Sequence, residues 1–236
     1  MATTIVNPSK WAKIIGQGAA GVGGFTTART TGNSIQNNST IDSNSAIKYG
    51  ATSGRGSTSH NFIRSYYYFD ISGVSDLTNL TSASVDIPGY VNASSKVIIV
   101  SSSAFGGDGS SSATTGEFFT SIDYTQPYTD INGQQWVTGT NSFDLDTNPV
   151  ITYLQSEPDA FIFAIVDFTN DYGNTAGSPT IQNSEGISFS GHASNVELTL
   201  ITDSSNIDKI NRTAVANIDQ WGGTSFSNVA SINGVT

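Results

Sequence analysis

The side chains that could act as catalytic bases or nucleophiles do not fall into a familiar catalytic pattern. The imidazole bases are His60, in a Ser/Thr-rich stretch, and His192, in a Ser-Gly-His segment that we interpret as a turn between strands. No serine lies in a G-x-S-x-G motif, the turn that exposes the nucleophile of many hydrolases. The chain has no cysteine, which excludes thiol nucleophiles, thiolate metal ligands and disulfides. We therefore predict that the protein is not an enzyme.

Carboxylates are the other side chains that could support a reaction or bind a metal ion. Glycoside hydrolysis uses two carboxylates flanking the scissile bond, and the sequence offers several without singling out a pair: Glu117, Asp123, Asp130, Glu157 and Asp167. Oxygen ligation of calcium is an alternative for Asp167, Asn170 and Asp171, or for Asp144 and Asp146. Such residues more commonly stabilise turns through hydrogen bonds, so we predict no cofactor and keep calcium as the alternative.

A glycine-rich segment near the start of the chain matches the dinucleotide-binding fingerprint. Gly16, Gly18 and Gly21 fit the spacing G-x-G-x-x-G. That fingerprint binds a pyrophosphate only between a strand and a helix of a βαβ unit, and no apolar-periodic helix follows these glycines. We interpret the three glycines as a flexible hinge.

Composition and charge narrow the class of protein. Of the 236 residues, 36% are hydrophobic, 10% aromatic and 12% charged, and there are 24 glycines. This composition is typical of an all-β protein with many turns, and the aromatic content argues against disorder. The net charge is −10, and no Lys or Arg occurs between Lys96 and Lys209. Because such a region repels phosphate, we predict no direct binding of nucleic acid.

Neither a signal peptide nor a membrane span is expected. The first residues lack a basic region followed by an apolar run. No stretch approaches the roughly 18 consecutive apolar residues that a membrane span needs. We therefore expect synthesis in a cytoplasm and no insertion into a membrane.

The distribution of apolar residues divides the chain into three regions. Residues 1–46 are rich in Gly, Thr and Asn, with one apolar patch around Trp11, and we predict an extended N-terminal arm that becomes ordered against a partner. Residues 47–202 carry the predicted strands, and residues 203–236 form a C-terminal repeat tail. We expect the middle region to fold without either terminus.

The sequence pattern of the middle region predicts strands joined by irregular loops. Several segments alternate apolar and polar residues with period two, as in strands with one buried face. The most apolar run, Ala160 to Val166, predicts a central strand. A short helix over 149–155, with Pro149 in its first turn, would bury Val150, Ile151 and Leu154. About eight strands with such loops favour a jelly-roll-type antiparallel β-sandwich with one short helix.

The tail contains a three-fold repeat whose units open eleven residues apart, at Asn206, Asn217 and Asn228. One unit is too short to bury its apolar side, so the copies must pack together or against a partner. The period also fits a right-handed helical supercoil, but Gly222-Gly223 and Asn233-Gly234 favour short extended pieces joined by turns. The predicted attachment residues are the apolar positions of the repeat and one tryptophan of the arm: Ile207, Ile210, Val215, Ile218, Trp221, Phe226, Val229, Ile232 and Trp11.

The order of these elements resembles a known class of domain. Tyr66-Tyr-Tyr-Phe-Asp-Ile-Ser-Gly-Val, followed by Leu80-Thr-Ser-Ala-Ser-Val-Asp-Ile, resembles the small jelly-roll domains of bacterial surface proteins, carbohydrate-binding modules and phage structural proteins. The resemblance covers residues 60–202 and departs at Asn195, where a proline is usual, and at Ile201-Thr202, which replace a terminal Tyr. The tail, with Trp221 and Ser231-Ile-Asn-Gly-Val, is similar to the W-x-N-I-x-x-I-N-G-V ends of many tailed-phage virion proteins.

The two resemblances together imply a structural component of a phage virion, made in the host cytoplasm. It would be a capsid decoration or head-fibre protein, or a neck or tail protein, with other virion proteins as partners. Family analogy also implies a homo-oligomer, a trimer rather than a dimer. The alternative is a receptor- or carbohydrate-binding module of a tail fibre, in which aromatic side chains stack on a surface glycan: Tyr66, Tyr124, Tyr128, Trp136 or Tyr172. A hydrolase is the third hypothesis.

Overall fold

The structure of the protein is a computed structural model that describes most of the chain. The described residues are 1–18, 24–37, 47–54, 57–92, 95–145, 148–178, 182–187, 195–203, 220–221 and 224–225. Predictions that concern other residues lie outside the described part of the chain.

Antiparallel strands dominate the described residues, which confirms the predicted all-β, sandwich-like fold. The helices are short: α1 (Gly24–Thr30), α2 (Glu117–Thr120) and α3 (Asn148–Gln155). The strands are β1 (Ala2–Val6), β2 (Lys10–Gly18), β3 (Ser34–Asn37), β4 (Ile47–Gly54), β5 (Ser57–Asp70), β6 (Leu80–Asn92), β7 (Lys96–Ser102), β8 (Ile122–Pro127), β9 (Gln134–Gln135), β10 (Gly139–Asp144), β11 (Ala160–Asp167), β12 (Gln182–Ile187), β13 (Glu197–Thr202), β14 (Gln220–Trp221) and β15 (Thr224–Ser225).

The two longest strands organise the sheet. On one edge β5 pairs with β2, and on the other edge it pairs first with β4 and then with β11. Strand β6 pairs with β13 and β12 along one edge and with β10 along the other. The β4–β12 pairing connects the β5 layer to the β6 layer, so the hydrogen-bonded network is continuous.

Two apolar cores lie on opposite faces of the β5–β11–β7 layer. The larger core packs this layer against β6, β10 and β13, and includes Phe163, Val85 and Leu198. The second core lies beneath α1, α2 and the segment that follows β7, and includes Phe62 and Phe118. Because both faces of β11 are covered, all eight of its residues are buried. The predicted central strand is therefore confirmed.

The predicted helix over 149–155 is confirmed as α3. Pro149 lies in the first turn, where a missing N–H costs no intrahelical hydrogen bond. Val150 and Leu154 are fully buried in the larger core, and Ile151 packs against it.

The structure corrects the predicted N-terminal arm. Strand β1 pairs with β13, with Ala2 opposite Thr202, and β2 pairs with β5 along nine residues. Ile14 of β2 is fully buried in the second core. Lysines and glycines interrupt the alternation of apolar residues in β2, so the pattern is too short to recognise without its partner strand.

The hinge interpretation of the glycine-rich segment is also wrong for Gly16 and Gly18. Both lie within β2, where α1 crosses the strand closely. A Cβ atom at Gly16 would collide with the carbonyl oxygen of Ala28, and one at Gly18 would collide with that of Gly24. These glycines therefore permit close packing of helix on strand; Gly21 lies outside the described residues.

Removing residues 1–46 should abolish cooperative folding. The truncation deletes β1 and β2, exposes one edge of β5, and removes Trp11 and Ile14 from the two cores. We expect a 47–236 fragment to show no cooperative thermal transition by circular dichroism, whereas a 1–205 fragment, which keeps every strand of the large sheet, retains one. A cooperative melt of the 47–236 fragment close to that of the full chain would contradict the integration of β2.

Candidate functional site

The described part of the tail is a small hairpin at the second repeat unit. Strands β14 and β15 pair with each other, Gln220 with Ser225 and Trp221 with Thr224, on either side of Gly222-Gly223. They form a sheet separate from the large one. Trp221 is described here by its backbone, and the remaining predicted tail residues lie outside the described residues: Ile207, Ile210, Val215, Ile218, Phe226, Val229 and Ile232.

Trp11 is not available as an attachment residue. It lies opposite Tyr67 in the β2–β5 pair, and both side chains belong to the larger core. Only 9% of Trp11 is exposed. The apolar patch that suggested a partner is therefore satisfied within the chain itself.

His60 is held in an aromatic cluster rather than beside a nucleophile. Its Nδ1 is 3.0 Å from the hydroxyl of Tyr49, which also accepts a hydrogen bond from the backbone N–H of Gly177. The edge of the imidazole packs against Phe25. Burial lowers the pKa of His60, which favours the neutral ring. The other histidine, His192, lies outside the described residues.

Asp171, one of the suggested calcium ligands, is instead the partner of a buried arginine. Arg64 is fully buried, and its Nε and Nη2 donate to the two carboxylate oxygens of Asp171 at 2.6 and 2.8 Å. The hydroxyl of Tyr124 donates to Oδ1 at 2.8 Å, and Nε of Arg29 lies 3.4 Å from the same oxygen. Two guanidinium groups so close to the carboxylate disfavour a cation there.

The rest of the Arg64 side chain contacts two further elements, α1 and α2. Its Nη1 donates to the carbonyl of Phe118 and its Nη2 donates to the carbonyl of Arg29. The ring of Phe118 lies 3.9 Å from the guanidinium carbon, within range of a cation–π interaction. We call this set the Arg64 cluster: Arg29, Arg64, Phe118, Tyr124 and Asp171. The sequence signal was an arginine inside the aromatic-rich segment from Phe62 to Phe69, and sequence reasoning did not use it.

Asp167 caps the π-helical turn Phe168–Tyr172 instead of facing a metal ion. Its Oδ1 accepts a hydrogen bond from the backbone N–H of Asn170 at 2.6 Å, and its buried Oδ2 has no hydrogen-bond partner among the described residues. Burial, with the nearby charge of Asp171, raises the pKa of Asp167 to about 6. Asn170 points its amide at the carbonyl of Thr175. Among the described residues, no group of three or more acidic or histidine side chains could hold a metal.

The aromatic residues proposed to stack on sugar rings are largely used inside the protein. Tyr66, Tyr128 and Trp136 are buried. Tyr124 bonds to Asp171, and Tyr172 stacks on Phe168. Burial removes Tyr66, Tyr128 and Trp136 as platforms for a sugar ring, and Tyr124 and Tyr172 are half-buried.

A polar depression lies where β2, β4 and β5 run side by side. It has a volume of about 500 Å³. Sequence reasoning missed it, because its residues are scattered along the chain and come together only through strand register. The polar depression is lined by Gln17, Gly18, Asn33, Lys48, Gly50, Thr52, Ser59, His60 and Asn61.

Comparisons with known proteins do not assign a family. No protein-family model and no curated protein matches this chain. None of the described helices combines the length and the apolar character needed to cross a membrane.

Replacing Asp171 by Asn should destabilise the fold strongly. The change keeps the shape of the side chain but leaves the buried Arg64 charge uncompensated, which typically costs about 3–5 kcal/mol. Urea denaturation of the Asp171→Asn variant measures this loss. The matched control is Asp159→Asn, at an exposed site, where we expect a change within about 0.5 kcal/mol. Equal stabilities of the two variants would contradict the role of the Arg64 cluster.

Replacing Asp167 by Asn should alter the pH dependence of stability. The pKa of this carboxyl is raised from 3.8 to about 6, so the folded state binds the proton more tightly than the unfolded chain. The resulting stabilisation is present at low pH and is lost as the pH rises from about 4 to about 6. The loss is at most ~3 kcal/mol, from ~1.4 kcal/mol per pKa unit.

We expect the Asp167→Asn variant to melt at a higher temperature than the wild type at pH 7.5, because it has no charge to bury. The difference should shrink at pH 4, where Asp167 is protonated. Melting curves recorded by circular dichroism across this range test the expectation, and a pH-independent difference between the two proteins would contradict it.

Proposed function

We propose that the protein is a structural component of a phage virion, anchored to other virion subunits through its C-terminal repeat. The observation that carries this proposal is the three-fold, eleven-residue repeat, placed directly after the last strand of the large sheet. The protein would be a capsid decoration or head-fibre component, or a neck or tail component.

The arrangement of the fold supports this role for the tail. Among the described residues, the buried apolar side chains run from Trp11 to Leu200. The described hairpin of the repeat pairs with itself and not with the large sheet. A folded domain followed by repeated apolar positions fits a device that supplies interface area beyond the globular surface.

The N-terminus has a different part in this proposal from the one the sequence suggested. Because β1 and β2 belong to the sheet, the attachment function rests on the tail and not on two arms. We further propose a homo-oligomer, a trimer rather than a dimer, in which neighbouring tails bury one another's apolar positions. The net charge of −10 opposes direct contact with the packaged genome.

One structural feature supports the alternative function, a receptor- or carbohydrate-binding module. The aromatic residues suggested for it are occupied within the protein, but the polar depression offers hydrogen-bonding side chains at the surface. Tyr153 is the aromatic residue that the described structure leaves exposed, at 40% of its surface. It lies on α3, and its hydroxyl donates to the carbonyl of Ala160.

Shortening the chain to residues 1–205 should abolish incorporation into virions while the sandwich still folds. A narrower change, Trp221→Ala, should reduce incorporation, because truncation of a fully buried tryptophan costs about 3–5 kcal/mol at the interface. Quantitative mass spectrometry of purified virions, from phage carrying each version of the gene, measures the copy number.

The matched control is Ile131→Ala, which removes an apolar side chain that is 63% exposed outside the tail. We expect its copy number to equal that of the wild type. Equal incorporation of the 1–205 chain and the full chain would refute tail-mediated attachment. Absence of the full-length protein from virions would refute the virion assignment itself.

A further inference from the structure

The floor of the polar depression is set by strand register. Residues directly opposite each other in antiparallel strands point to the same face, and Asn61 of β5 lies opposite both Gln17 of β2 and Gly50 of β4. Because Gly50 has no side chain, it leaves a gap in the row Gln17–Asn61–Gly50, which continues to Gln182 of β12.

The neighbouring rows complete the walls with polar groups. On one side, Thr52 of β4 lies opposite Ser59 of β5, and their hydroxyl oxygens are 2.7 Å apart. On the other side Lys48 lies opposite Ile63. At the edge, Asn33 accepts a hydrogen bond through its Oδ1 from the backbone N–H of Gln17. The depression therefore presents amide, hydroxyl and ammonium groups on one face.

The charge of the polar depression is opposite in sign to that of the protein as a whole. Lys48 is the cationic side chain of the lining, and none of the described lining residues carries a carboxylate. Among the described residues no ion pair involves Lys48. In a chain with a net charge of −10, a lysine with no ion-pair partner in the described part of the chain favours an anionic ligand.

One acceptor in the depression lacks a partner. Oδ1 of Asn61 is buried and has no hydrogen-bond partner within the described structure. A buried polar atom without a partner is unfavourable, and native proteins satisfy nearly all of them. Because this oxygen is shielded from solvent, a ligand hydroxyl donates to it only when the Asn61 carboxamide turns toward the depression, and that turn would satisfy the oxygen.

We propose that the polar depression binds one unit of an acidic saccharide, with the ligand carboxylate at Lys48 and its hydroxyls at Asn61 and Gln17. A ring with several hydroxyls both donates and accepts hydrogen bonds, as the carboxamides of the lining do. A cavity of about 500 Å³ lies within the range of small-molecule sites. This property goes beyond attachment to the virion and holds wherever the protein sits in the particle.

Saturation-transfer difference NMR with glucuronate as the probe tests the proposal on the full-length protein. We expect saturation transfer to glucuronate, and binding at least fivefold weaker for glucose, which has the same ring without the carboxylate. Lys48→Gln should weaken glucuronate binding about tenfold, because it removes a charge-assisted hydrogen bond. Lys96→Gln, which removes an exposed lysine elsewhere, should leave binding unchanged.

A second variant tests the cavity itself. Gly50 does not have a positive φ, so Gly50→Val introduces no backbone strain, and its side chain should fill the floor and abolish glucuronate binding. Circular dichroism checks that each variant keeps the wild-type fold; if Gly50→Val unfolds, Lys48→Gln decides alone. No saturation transfer to glucuronate, equal binding of glucose, or wild-type affinity of Lys48→Gln would each overturn the proposal.

Discussion

Arg64 places a permanent positive charge where no solvent reaches it, and the elements on one face of the sheet are arranged to satisfy that charge. Its donors reach the carboxylate of Asp171, the carbonyl of Arg29 in α1 and the carbonyl of Phe118 in α2. A buried ion pair adds little net stability compared with a well-packed apolar substitute. Its effect is geometric, because each of the three elements has one position in which the guanidinium is fully bonded. The cluster therefore determines how α1, α2 and the π-helical turn sit on β5.

The sequence predicts the parts of this fold whose signal is local. Ala160 to Val166 is apolar throughout because both faces of β11 are covered, and Pro149 begins α3 where its missing N–H does no harm. Strand β2 escaped recognition because its burial depends on Tyr67 and its neighbours in β5, about fifty residues away in sequence. The pairing of Arg64 with Asp171 could not be predicted either, because the two residues are 107 positions apart in the sequence and meet only in the tertiary structure.

Of the candidate sites, one can likewise be predicted from local sequence and the other depends on the tertiary structure. The attachment positions of the tail can be predicted from the spacing of Asn206, Asn217 and Asn228, because a repeat is a property of the sequence alone. The polar depression cannot be predicted from the sequence. It depends on the register of three strands and on the absence of a side chain at Gly50. The aromatic residues were misjudged for a related reason: composition does not say which tyrosines face a core.

The pairing of β13 has a mechanical consequence. This strand leads directly toward the tail, and it is hydrogen-bonded on both edges, to β1 and to β6, over almost the same residues. Hydrogen bonds in antiparallel sheets run perpendicular to the strands, so a pull on the tail along the axis of β13 loads both ladders in shear. Rupture then requires many bonds to break together, and not one after another as in unzipping. Strand β1, through its hydrogen bonds to β13, thus helps the domain to resist tension applied at the C-terminus.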